Sequence, residues 1–81
     1  MNEQFWDVVN RYIVKANEIK EETSMPQASS AMLYAAARYN ALNIINKHPE
    51  LDRENEIKEH IEMYESFLRS SIEHLKEEMG T

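Results

Sequence analysis

Cysteine is absent from this chain, which excludes disulfides, thiolate nucleophiles and every zinc or iron–sulfur site built on sulfur. Glycine occurs once, at Gly80, and proline twice, at Pro26 and Pro49. Such sparse turn chemistry cannot serve the tight hairpins of an all-β fold, so long helices are expected. The glycine shortage also removes phosphate-cradling loops and the Gly-x-Ser-x-Gly elbow of a serine nucleophile. Long hydrophobic runs are missing too. The longest, Ala31 to Ala37, is seven residues, against the roughly 20 that cross a bilayer, so no membrane span is expected. Met1-Asn2-Glu3-Gln4 has neither the basic segment nor the apolar run of a signal peptide, which makes the cytoplasm the expected location. The basic residues never cluster. Arg11, Lys15, Lys20, Arg38, Lys47, Arg53, Lys58, Arg69 and Lys76 are interspersed with carboxylates, so no nucleic-acid partner is expected.

What remains is an apolar fraction of 42% and a charged fraction of 30%, the balance of a folded rather than a disordered chain. Its 81 residues make one expected domain, 1–81. A domain of this size buries only about 60–65% of its surface, so its core is thin and association with a partner is a natural supplement. The net charge of −6 is unevenly placed. Residues 1–47 hold five acids and five bases, whereas residues 48–81 hold ten acids and four bases. The whole excess lies in the last part of the chain.

The periodicity predicts three helices, over 3–22, 25–47 and 53–79, joined by short breaks. The first carries Phe5, Val9, Tyr12, Ala16 and Ile19 at the 4-3-4-3 spacing of one buried stripe, with Asn2 as its N-cap. In the break before Pro26, Ser24 is followed three residues later by Gln27, the spacing of a capping box, and Pro26 is tolerated in the first turn. The second helix is apolar on nearly every side and contains no acid, which casts it as a central element packed on most faces. His48-Pro49 marks the second break, and Asp52 and Gly80 are placed to cap the third helix. That helix carries Ile57, Ile61, Tyr64, Leu68, Ile72, Leu75 and Met79 along one stripe. Short links make neighbouring helices antiparallel, so the expected fold is an all-α, up-down-up three-helix bundle. At about 1.5 Å per residue the third helix is roughly 40 Å long and the first roughly 30 Å, so Leu75 and Met79 would overhang.

Phe5-Trp6, Ala16-Asn17-Glu18 and above all the run from Ala31 to Ala41, AMLYAAARYNA, resemble short bacterial proteins grouped as a domain of unknown function, the DUF 3144 family. The resemblance extends from Phe5 to about Leu75. It implies a bacterial, mostly helical, single-domain protein and implies no reaction. The general shape is also similar to the tetratricopeptide hairpin and to the microtubule-interacting-and-trafficking domain, at the level of fold alone.

Arg38 sits inside the most apolar stretch, where an unpaired charge would cost several kcal/mol. One reading is a structural ion pair with Glu62 or Asp7 that fixes helix register, in which case Arg38→Ala lowers stability markedly. The other is an anion or small-ligand site in which Tyr34, Tyr39 and Asn40 join Arg38. Trp6, with Phe5, is either core or an interface anchor. On the third helix His60, Met63, Phe67 and His74 form a second ridge beside the main stripe. It is either covered by the bundle itself or meets a partner or a second copy. A contact there would weaken as His60 and His74 protonate below about pH 6.5.

A metal centre is not expected. The Glu-x-x-His pairs of a di-iron bundle are missing, because Ile45, Ile57 and Ser71 stand three residues before His48, His60 and His74. No cofactor and no acid–base pair emerges, and the chain does not read as an enzyme. The expected class is a helical protein–protein interaction module, a homodimer or a partner of another protein through the third helix. The alternative is a small-anion or small-ligand binder centred on Arg38.

Overall fold

A computed structural model describes residues 2–47 and 52–80. It is all-α. Helix α1 spans Glu3–Glu22, α2 spans Met25–Lys47 and α3 spans Arg53–Met79, with no strand among the described residues. The three helices keep the bounds expected from the sequence, and their caps explain why. The Asn2 side chain accepts a hydrogen bond from the Phe5 N–H at 2.8 Å, satisfying one orphan donor of α1. At its other end the Thr23 N–H donates to Ile19 O at 2.9 Å and its hydroxyl donates to the same oxygen at 2.7 Å. Glu3 in the first turn and Lys20 in the last both complement the helix dipole.

Ser24 opens α2. Its hydroxyl accepts from the Gln27 N–H at 3.2 Å, the first half of the capping box. Asp52 accepts from the Asn55 N–H at 3.3 Å at the start of α3. Gly80 closes α3 at φ 74° and ψ 25°, a left-handed conformation that glycine adopts without Cβ strain. The expected break at His48 and Pro49 lies outside the described residues.

By packing, α1 with α2 as far as Asn43 forms one compact unit, and α2 from Ile44 onward with α3 forms another. In the first, Tyr12, Lys15, Ala16 and Ile19 of α1 face Ala28, Ala31, Met32 and Ala35 of α2. Ile19 meets the start of α2 and Tyr12 its middle, so the two helices run antiparallel. Alanines at the contact let the two backbones approach, and Ala28 is buried. In the second unit Lys47 at the end of α2 meets Glu56 in α3 at 3.3 Å, and Ile44 is buried.

Burial differs from expectation. The apolar sequence of α2 predicts cover on most sides, yet Leu33 keeps 51% of its surface open and Tyr34 70%. Within its unit α1 covers only one side of α2, and much of the remaining surface stays apolar and bare. Ala28 and Ile44 are the buried apolar residues among those described. None of the described helices is long and apolar enough to cross a membrane.

Candidate functional site

Two surfaces stand out, one in each unit. In the first, Tyr12, Met32, Ala35, Ala36, Tyr39 and Asn40 line a groove of about 430 Å³ beside the α1–α2 contact. Its floor is alanine, its walls are the methionine and two tyrosine rings, and its polar groups are the Asn40 amide and the tyrosine hydroxyls. Neither a carboxylate nor an imidazole is among its lining residues. Sequence reasoning singles out Tyr39 and Asn40 but misses Tyr12 and Met32 as groove residues. The signal lies in small residues at Ala28, Ala31, Ala35 and Ala36 alternating with large ones, which leaves a trough along the helix.

The Arg38 constellation does not converge. Successive helical residues are offset by about 100°, so Arg38 and Tyr34 share one side of α2 while Asn40 lies about 160° away. Tyr39 and Asn40 enter the groove, and Tyr34 and Arg38 are not among its lining residues. Arg38 is exposed and makes no ion pair among the described residues. Asp7 bonds instead to Arg11 one turn along α1, at 3.6 Å, with both side chains largely exposed. The expected Asp7–Arg38 pair is therefore not formed. The apolar neighbours of Arg38 in sequence do not bury it, because they themselves are open.

On α3, the main stripe and the second ridge merge into one broad apolar band. Ile57, Ile61, Met63, Tyr64, Phe67, Leu68, Ile72, Leu75 and Met79 are each between 45% and 73% exposed. His60 is half-buried, and its Nδ1–H donates to the Glu56 carbonyl at 2.8 Å. An imidazolium retains that N–H, so protonation at Nε2 leaves the bond in place. His74 is exposed. Glu56 is held below its ordinary pKa, first by its hydrogen bond from Lys47 and further by that lysine's charge. Helical periodicity does not reveal this pair, although the short link between α2 and α3 puts their ends near each other. Glu62 is exposed on the polar side of α3. Trp6, 58% exposed, stands edge-on against Phe5 with ring centroids 5.1 Å apart, so it is surface rather than core.

The family described as "Protein of unknown function (DUF3144)" matches residues 5–79. The chain belongs to that family. The match takes in α1, α2 and α3 almost entirely, so both surfaces lie inside the family's extent. No curated protein and no solved structure matches the chain.

Proposed function

We propose that this protein is a cytoplasmic, non-enzymatic interaction module that self-associates through α3. One observation carries the reading: nine apolar side chains run the length of α3, and all of them are about half open or more. Fully burying such a side chain contributes about 1.5–3 kcal/mol, so each leaves on the order of 1 kcal/mol unrealised in the isolated chain. Together they offer on the order of 800 Å², the share each partner contributes to a standard interface. Monomeric proteins rarely leave an apolar surface of that extent bare. His60, Met63, Phe67 and His74 lie along one edge of it, and Trp6 supplies a separate aromatic anchor on α1.

Sedimentation velocity near pH 8 tests the reading. The expected result is a dimer at tens of micromolar that dissociates on dilution, and a Phe67→Glu variant that is monomeric with its helix content intact. A monomer at every concentration refutes it. The groove at Tyr39 and Asn40 supports a second reading, a small apolar ligand oriented by the Asn40 amide. Arg38 and Tyr34 lie outside that groove, which removes the guanidinium from such a site.

A further inference from the structure

The main apolar stripe of α3 reads the same in both directions. From Ile57 through Leu68 to Met79 its members are spaced 4-3-4-4-3-4, symmetric about Leu68. At about 100° per residue each lies within about 40° of Leu68, so the stripe runs straight down one side of the helix. An antiparallel copy related by a two-fold axis at Leu68 therefore sets stripe on stripe throughout. Leu68 meets Leu68, Tyr64 meets Ile72, Ile61 meets Leu75 and Ile57 meets Met79. An isologous antiparallel contact needs that symmetry, and contact with an unrelated surface does not.

The two edges of the stripe differ, and the difference decides direction. About 60–120° to one side of Leu68 lie His60, Phe67, Ser71 and His74, and between His60 and His74 that edge has no carboxylate, lysine or arginine. About 60–100° to the other side lie Lys58, Glu65, Arg69 and Lys76. Parallel helices sharing a two-fold axis bring opposite edges together, which would press Phe67 against Glu65 and Arg69 of the second copy. Antiparallel helices bring each edge onto its own kind. The two Phe67 rings then meet, offset by only roughly 3 Å along the axis. Glu65 comes equally level with Arg69 of the second copy, beside the pair these residues make at 2.8 Å within each helix. Lys58 and Lys76 oppose each other at the outer ends of that edge, where Glu73 already holds Lys76 at 3.9 Å. Half of the eight acids of α3 stay outside, since Glu59, Glu62, Glu73 and Glu77 lie about 120–180° from Leu68.

Resting on the proposal of self-association through α3, we infer that the occupant of this band is α3 of a second copy, antiparallel, with the two-fold axis at Leu68. The open apolar area, on the order of 800 Å² per copy, is what a standard interface takes from each partner. A second α3 also matches the stripe in length, roughly 33 Å from Ile57 to Met79. The groove beside Tyr39 follows α2 only from Met32 to Asn40, roughly 12 Å.

The chain has no cysteine, so a single introduced cysteine can link only to its counterpart in another copy. Three variants of the full chain make the test: Leu68→Cys, Ile61→Cys and Leu75→Cys. All three positions are about half open, so circular dichroism should give the helix content of the parent. Under mild oxidation near pH 8, Leu68→Cys should link to itself. Ile61→Cys alone should link at least about tenfold more slowly, because its two copies lie roughly 21 Å apart along the axis and a disulfide spans only about 6 Å between Cα atoms. Mixed with Leu75→Cys, it should link at a rate within severalfold of Leu68→Cys. A nitroxide on Asn55→Cys, exposed and about 140° from Leu68, reports direction without touching the contact. Its two copies should lie at least roughly 39 Å apart by pulsed EPR, and a separation below about 30 Å contradicts the antiparallel pair. Ile61→Cys that links to itself as fast as it links to Leu75→Cys overturns the direction. A parent that dimerises while none of the three variants links overturns α3 on α3 and leaves self-association standing. A parent chain that never dimerises overturns both.

Discussion

Arg38 shows how a single residue can be misjudged from its sequence neighbours. Ala35, Ala36, Ala37 and Tyr39 make its surroundings in the chain apolar, but burial depends on which neighbouring element covers a face. Here none in its own unit does, and the guanidinium stays in water. Arg38→Ala therefore lacks the large destabilisation that loss of a buried pair would bring. Thermal melts in dilute solution should change by the equivalent of no more than about 0.5 kcal/mol. A loss above about 2 kcal/mol would mean that Arg38 is paired after all. Glu56 is the opposite case, a charge that does have a partner. Its pKa lies below the ordinary 4.5 because Lys47 hydrogen-bonds the carboxylate. The unfolded chain therefore takes up the proton first as acid is added. The pair stabilises the fold above about pH 4.5 and its contribution is lost as pH falls through the lowered pKa. A carboxyl NMR titration should find the Glu56 midpoint below that of Glu56 in a Lys47→Met variant; coincident midpoints would dismiss the pair.

Among the elements, helix ends were legible because their signals are local. Asn2, Ser24 and Asp52 each place an acceptor three residues before a backbone N–H, and Gly80 accepts the left-handed turn that ends α3. Such signals need no knowledge of the rest of the chain. Replacing Ser24 or Asp52 by Ala should cost about 1 kcal/mol each in urea denaturation. A cost near zero at either would mean that the cap is replaced by water. What lies against a helix face is not local, and it was not legible. The spacing of Ile57, Ile61, Tyr64 and Leu68 says that they share one side of α3. It says nothing about what covers that side. The same holds for the α1–α2 groove, whose far wall at Tyr12 belongs to a different helix from its floor.

For the molecule as a whole, association is the decisive property. If two copies cover each other's apolar faces, stability depends on concentration, since anything that binds the folded state raises its apparent stability by mass action. The melting temperature should therefore climb as the protein is concentrated, and Phe67→Glu should flatten that dependence. A Trp6→Ala variant separates the α1 anchor from the α3 band, because it truncates the aromatic side chain on α1 and leaves α3 intact. It should leave the dimer unchanged. Sedimentation equilibrium of the parent chain and Phe67→Glu, side by side from sub-micromolar to tens of micromolar near pH 8, probes association through α3 without intermediaries. The parent should show a monomer–dimer equilibrium and the variant should remain a monomer throughout. A parent that stays monomeric across the range, or a variant that dimerises as well as the parent, contradicts association through α3.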